Sequence, residues 1–241
     1  MLDARLLDHG FGTIANMPMN RVNAIILRIR SNLWLKLVLG AVLTGGIWGT
    51  YLFLQRHVLF PVTAMPATAI DRMIPFASRT VYLYESLWLL MPIAPWLMVS
   101  KDEIMRYALG LSLISLVGFA VFIFFPTTSP RPLVTQDCNA LYRDLISYDL
   151  ALHAFPSLHA AFAIFHGVCC HAVFRHSMWP RWFRRCIWVW VAGIVASTLL
   201  TKQHVIIDVI AGCMLGWGGY VLCCRTMRQT GVPDQPAERF A

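Results

Sequence analysis

The sequence predicts an all-α integral membrane protein with six transmembrane helices and both termini in the cytoplasm. Three observations carry this expectation. First, 58% of the 241 residues are hydrophobic and only 13% are Asp, Glu, Lys or Arg, whereas a soluble domain is about 45–50% apolar and about 25% charged. Second, six apolar segments each come close to the roughly 20 residues that a helix needs to cross a bilayer. Third, Lys and Arg are divided unevenly between the two sets of connections that these segments leave. Nine Trp, fourteen Phe and a mean hydropathy of +0.60 also exclude a disordered chain.

Residues 1–32 are mixed polar and apolar. Within them, 21–30 (RVNAIILRIR) fits either an amphipathic helix on the membrane surface or a frayed basic tail. Segment 37–54 is uncharged and carries Gly45 and Gly49 at a spacing suited to close helix packing. Segment 81–99 is apolar apart from Glu85, and Pro92 and Pro95 are expected to kink it. Segment 107–125 is uncharged, and 154–174 has no Asp, Glu, Lys or Arg but holds His159, His166 and His171. Segment 186–201 is short, between Arg185 and Lys202, and 205–224 is broken only by Asp208 and contains Gly212 and Gly216. All six are expected to be helical, because backbone polar groups cannot go unpaired in lipid. The ten-residue alternation of a membrane barrel is absent from the sequence. The organisation is then a cytoplasmic or interfacial segment, 1–32, a six-helix membrane domain, 33–224, and a cytoplasmic tail, 225–241, whose polar end, 229–241, is expected to be disordered.

Charge sets the orientation. With a cytoplasmic N-terminus, fourteen of the twenty Lys and Arg fall in inside segments and six outside. Basic residues collect on the cytoplasmic side, so both termini are placed there. The net charge of +8 is therefore topological, and no nucleic-acid partner is expected. Six of the seven cysteines lie in or beside apolar segments, so no disulfide framework is expected. The first long apolar run lacks a small-residue cleavage site, so no signal peptide is read.

The outer ends of the third to sixth segments carry FPTTSPRP (125–132), FPSLHAA (155–161) and STLLTKQHVIIDVIAG (197–212). His204 and Asp208 are four apart, on one face of an expected helix. An aspartate inside a spanning helix is expensive and needs a partner. A carboxylate bonded to one imidazole nitrogen leaves the other free to attack or to accept a proton. Pro156 and Ser157 precede His159 at an expected helix start, whose free amides favour phosphate. Arg131 offers a guanidinium fork suited to phosphate, or a solvated loop charge. Two histidines, a carboxylate, an arginine and a helix N-terminus can serve phosphoryl transfer. A metal site is the rival, since two histidines and a carboxylate are also a common ligand set. A serine hydrolase lacks its nucleophile turn. Glu85, near the same outer face, is a candidate head-group contact, or a partner for Arg79 or Lys202. His166 and His171 fit packing or interhelical hydrogen bonding, and no role attaches to His153.

In order and spacing these blocks resemble the type 2 phosphatidic acid phosphatase superfamily, whose blocks are K-x6-R-P, P-S-G-H and S-R-x5-H-x3-D. Arg131-Pro132, Pro156-Ser157-Leu158-His159, and Ser197, His204 and Asp208 match them. Phe124, Leu158 and Thr198 stand where the family has lysine, glycine and arginine. FPSLHAA and QHVIIDVIAG look more like the branch of inositol phosphorylceramide and sphingomyelin synthases and their bacterial relatives. The resemblance implies a helical bundle of that family in the cytoplasmic membrane, with its site on the extracytoplasmic face and neither metal nor cofactor. It implies a lipid phosphate or phospholipid substrate, with water or a lipid alcohol as acceptor. His204 would be the nucleophile that becomes phosphorylated, Asp208 its orienting carboxylate, and His159 the general acid and then base. Arg131 and the Ser157 helix end would bind phosphate. Lys202 is a further expected phosphate ligand, from its position beside the third block. Fewer cations around the phosphate suit a phosphodiester with one negative charge, which tilts the expectation towards head-group transfer or phospholipase-like hydrolysis. The expectation from another class is a non-catalytic lipid-binding or transport protein that kept the fold.

Overall fold

The computed structural model describes residues 21–132, 138–175 and 179–225. The tail expected to be disordered, 229–241, lies outside the described residues, as does most of the N-terminal segment. A basic helix, α1 (Arg21–Arg30), precedes the long apolar helix α2 (Leu33–Arg56). Their junction is sewn to the end of the next span. The Arg28 guanidinium donates to the Leu97 carbonyl at 3.1 Å, Asn32 Nδ2 to Val99 at 2.7 Å, and the buried Lys36 ammonium to Trp96 at 2.9 Å. Strand β1 (Thr63–Ala64), helix α3 (Ala69–Met73) and a 3₁₀ turn (Ser78–Thr80) follow.

The segment expected to be the second spanning helix is not one regular helix. It is three short pieces, α4 (Val81–Glu85), α5 (Leu87–Leu90) and α6 (Ile93–Leu97). The backbone at Ser86, Met91 and Pro92 stays in the right-handed helical region, so the pieces follow one another as an interrupted rod. Pro92 and Pro95 remove two backbone donors. At the first break Ser86 Oγ donates to the Leu83 carbonyl at 2.6 Å and receives the Trp190 indole N–H at 2.8 Å.

Helix α7 (Lys101–Phe124) starts at a capping box in which Ser100 and Glu103 satisfy each other's backbone amides. Strand β2 (Thr127–Thr128) pairs in parallel with β1, Thr63 opposite Thr127 and Ala64 opposite Thr128. The outer connection also contains a helix the sequence reading did not foresee, α8 (Ala140–Tyr148), capped by the Asn139 side chain and turned inward by Tyr142 and Leu145. The chain closes with α9 (Leu158–Arg175), α10 (Arg181–Leu200) and α11 (Ile206–Cys223). Five helices, α2, α7, α9, α10 and α11, are long and apolar enough to cross a membrane, as befits a multi-pass membrane protein.

Helix α9 is the most buried of the five and packs against α7, α10 and α11. Its seam with α11 is set by glycines. A Cβ on Gly212 would lie 2.2 Å from the Ser157 carbonyl oxygen, and one on Gly216 2.1 Å from that of Ala161. Only backbone can approach so closely. Gly45 and Gly49 do not pack a partner helix as expected: a Cβ there meets nothing within 4 Å. His166 is buried between the Tyr107 hydroxyl (2.8 Å) and the Phe162 carbonyl (2.6 Å), and His171 accepts the Trp188 indole N–H at 3.1 Å. Both are thus interhelical or packing histidines.

Candidate active site

The turn between α10 and α11 is built before its histidine is. The Lys202 amide donates to the Leu199 carbonyl and the Gln203 amide to that of Thr198, each at 3.1 Å. This pair of bonds closes a helix with its C′ residue left-handed. That residue is Lys202, at φ 55°, a position usually held by glycine. Its ammonium is drawn to the carbonyls of Asp71 (2.8 Å) and Ile74 (2.6 Å). The side chain expected to hold phosphate therefore fastens residues 71–74 to the turn, and it does not line the cavity described below. The same segment supplies Asp71, whose Oδ1 accepts the Ile206 amide at 2.8 Å at the start of α11, while its Oδ2 accepts the Thr68 amide (2.7 Å) and hydroxyl (2.6 Å).

His204 stands just before α11 rather than on it, a correction to the expected shared helical face. Asp208 is in the first turn of α11, not deep in the span, which lowers the cost of its charge because helix N-termini favour anions. It is completely buried. Its Oδ2 accepts the Val205 amide at 3.1 Å and the Ser129 hydroxyl at 3.0 Å, and lies 3.6 Å from His204 Nδ1. The hydrogen bond of that nitrogen goes instead to the Ala154 carbonyl, at 3.0 Å. Ala154 thus fixes the tautomer and Asp208 supplies negative charge beside the ring. Nε2 of His204 is left without a hydrogen-bond partner among the described residues.

Ser157 caps α9. Its Oγ accepts the Ala160 amide at 3.2 Å, and its own amide donates to the Asp208 carbonyl at 3.0 Å. The start of α9 is therefore bonded directly to the start of α11. Proline 156 precedes the cap and does not occupy the first turn as expected. Two residues beyond Ser157, the His159 ring stacks on Tyr84, centroids 3.7 Å apart at 11°, and its Nε2 donates to the Tyr84 carbonyl at 2.8 Å. That carbonyl is available because of the break at Ser86. In an unbroken helix the amide four residues on would compete for it.

His159 and His204 line one cavity of about 100 Å³, with Glu85, Asp149 and His153. Glu85 accepts the Tyr148 hydroxyl at 3.3 Å and pairs with neither Arg79 nor Lys202. Arg131 does not reach the cavity. Its guanidinium donates to the Asp149 and Leu150 carbonyls and to Asp149 Oδ2 at 3.3 Å, while Nε is buried without a partner among the described residues. No group of three or more His, Cys, Asp or Glu among the described residues is placed to hold a metal ion.

The sequence matches the PAP2 superfamily over residues 52–222. The chain belongs to the PAP2 superfamily. Its structure is also similar to the crystal structure of Aquifex aeolicus LpxE, with a TM-score of 0.47 and 18% identity, over 64% of this chain and 92% of that one. No match is found among curated proteins.

In this PAP2 chain several site residues carry no motif of their own. Ser129 holds Asp208. Asp149 accepts from the Tyr51 hydroxyl and Gln55 Nε2, both at 2.6 Å, as well as from Arg131. His153 is buried with φ 61°, stacks on Phe122 at 5.0 Å, and neither ring nitrogen has a partner among the described residues. Burial lowers its pKa, against the Leu54 backbone and the Asp149 charge, which raise it. Only Asp71 left a local signal, the T-x-x-D pattern of a helix cap.

Proposed function

We propose that this PAP2 protein is a membrane lipid phosphatase or phosphotransferase acting through a phosphohistidine intermediate at the extracytoplasmic face. The observation that carries the reading is the state of His204. Its Nδ1 proton is committed to Ala154, Asp208 lies 3.6 Å away, and Nε2 is free beside a cavity that His159 shares. Nε2 attacks phosphorus, and the P–O bond to the leaving alcohol breaks. His159, entering the step with a proton on each nitrogen, gives the departing oxygen the one on Nδ1 and is left neutral, since its Nε2–H is held by the Tyr84 carbonyl. An acceptor then yields its proton to His159 and its oxygen to phosphorus, which frees His204. The amides at the Ser157 end of α9 steady the phosphate oxygens. Taking the interrupted rod as a sixth crossing would put both termini on one side of the membrane, and the uneven Lys and Arg favour the cytoplasmic side.

Head-group transfer or phospholipase-like cleavage of a phosphodiester is the second reading. It is favoured by a cavity whose lining, among the described residues, has neither Lys nor Arg. The test is to assay purified protein on lipid phosphates and phospholipids, following free phosphate and new lipid species together. Activity retained by His204→Ala sinks the mechanism. Activity abolished by excess EDTA moves the reading to a metal site. New lipid without phosphate release selects the transferase.

A further inference from the structure

His153 is 3% exposed and left-handed, at φ 61°. That backbone is strained for a residue other than glycine, and such residues gather at functional sites. Both flanks hold it there. The Leu152 amide donates to the Leu150 carbonyl at 2.7 Å, the Ala154 amide donates to the Thr127 carbonyl at 3.2 Å, and the Ala154 carbonyl accepts from His204 Nδ1 at 3.0 Å. The ring stacks on Phe122 and lines the cavity, and neither nitrogen makes a hydrogen bond among the described residues. A buried polar group left so is costly, and it calls for a ligand. The ring's pKa lies below the ordinary histidine value, because burial outweighs the Leu54 backbone and the Asp149 charge. An anion placed beside it would reverse that shift.

The cations expected to meet a phosphate are engaged elsewhere. Lys202 is bonded to the Asp71 and Ile74 carbonyls, and Arg131 is paired with Asp149. The groups of the cavity lining that can take up a positive charge are His153, His159 and His204. His204 has Nδ1 on Ala154 and reserves Nε2 for phosphorus. His159 has Nε2 on Tyr84 and reserves Nδ1 for the leaving group. Of the three, His153 alone has both nitrogens uncommitted among the described residues. The other titratable groups that share the lining are Tyr51 of α2, Tyr84 and Glu85 of α4, and Tyr148 and Asp149 at the end of α8, with Arg131 behind Asp149.

We propose that His153 is a phosphate-binding residue of this site, taking a proton from solvent as substrate enters and donating from its imidazolium to a non-bridging phosphate oxygen. The proton returns to solvent when product leaves, so none is consumed. The positive charge is then present only while phosphate is. The proposal rests on the phosphoryl-transfer reading of the cavity, but it does not require His204 to be the nucleophile.

The experiment titrates inorganic phosphate calorimetrically into full-length His204→Ala protein in detergent, with and without His153→Asn, between about pH 6 and about pH 8. Two buffers of unequal ionisation enthalpy read the protons taken up. Asparagine tolerates the left-handed backbone and keeps a donor, but takes no proton. His153→Asn is expected to weaken phosphate binding about tenfold at the acid end, with the gap narrowing as pH rises and less proton uptake throughout. Every other titratable group is common to both proteins, so the difference belongs to His153. With His204 intact, His153→Asn raises KM about tenfold for the lipid that wild type cleaves fastest and changes kcat less than about threefold. His153→Gly, which relieves the backbone, raises KM alike without lowering the unfolding midpoint. Equal phosphate affinity and proton uptake in the two backgrounds, with His204→Ala inactive, overturns the role of His153 and leaves the phosphohistidine reading standing. The expected gap in a His204→Ala protein as active as wild type does the reverse. A lowered midpoint with unchanged KM in both His153 variants makes the ring a packing group and overturns the proposal.

Discussion

The Nδ1 atom of His204 lies 3.0 Å from the carbonyl oxygen of Ala154. A carbonyl can only accept, so the proton resides on Nδ1 and the lone pair on Nε2. His204→Ala is therefore expected to lower kcat by about 10³-fold or more. A trapped intermediate should carry phosphorus on nitrogen, and ³¹P NMR of acid- and alkali-treated samples checks this. A phosphoenzyme stable in acid and lost in alkali would point to an oxygen ester instead.

Asp208 works by charge rather than by the ring's hydrogen bond, because its Oδ2 is 3.6 Å from Nδ1 and is already held by Val205 and Ser129. Asp208→Asn keeps the shape and removes the charge. By analogy with a buried aspartate behind a catalytic histidine, kcat should fall about 10²- to 10⁴-fold with little change in KM. Steady-state kinetics decide this, and an effect confined to KM would remove Asp208 from the chemical step.

At Gly212 an added methyl collides with backbone, while at Gly45 it meets nothing within 4 Å. Gly212→Ala is expected to destabilise by at least about 2 kcal/mol, in the range of overpacking, and to reduce activity because Ser157 moves. Gly45→Ala should be neutral or stabilising by about 0.5–1 kcal/mol. Thermal unfolding in detergent compares the two, and equal midpoints would mean that the α9–α11 seam is looser than described.

Lys202 combines a left-handed backbone with two ammonium bonds to carbonyls. Lys202→Ala loses the bonds and keeps the strain, whereas Lys202→Gly loses both. The glycine variant should be the more stable by about 1 kcal/mol, and both should raise KM much less than they lower the unfolding midpoint. A large rise in KM with unchanged stability would restore the phosphate-ligand role.

Asp71 predicts a pH effect. Burial raises its pKa, but the hydrogen bonds from Thr68 and the Ile206 amide, with Lys202 nearby, outweigh that and hold the carboxyl below the usual carboxylate range. A depressed folded-state value stabilises above the unfolded pKa of about 3.9 and is lost as pH falls through the folded one. The stability gap between wild type and Asp71→Asn should thus narrow on acidification below about pH 4. Unfolding midpoints across a pH series test it, and a constant gap would show that the charge contributes nothing.

What was legible in the sequence was what repeats or is locally spaced. Five of the six apolar segments became the long helices, and His159, His204 and Asp208 gathered because their motifs sit at or just before helix starts. The rest depends on contacts distant in sequence or on backbone geometry. Ser129 reaches Asp208 from 79 residues away, and Tyr51 reaches Asp149 from 98, so no window of sequence contains either pair. Lys202 sends its side chain to the carbonyls of Asp71 and Ile74 from a left-handed turn that is invisible in composition. Arg131 has the fork expected of it, but Asp149, a carboxylate with no motif, occupies it. Glu85 faces the cavity, but the interruption at Ser86 that follows it lies before Pro92 and Pro95, the residues expected to kink the segment, and has no proline to signal it.

That interruption carries a trade-off. The Tyr84 carbonyl that anchors His159 is one that a regular helix would reclaim for itself. A substitution that healed the break would strengthen the rod's own claim on that carbonyl and weaken the anchor of the histidine ring. Selection for a sturdier protein and selection for a faster one therefore pull on this single peptide group in opposite directions.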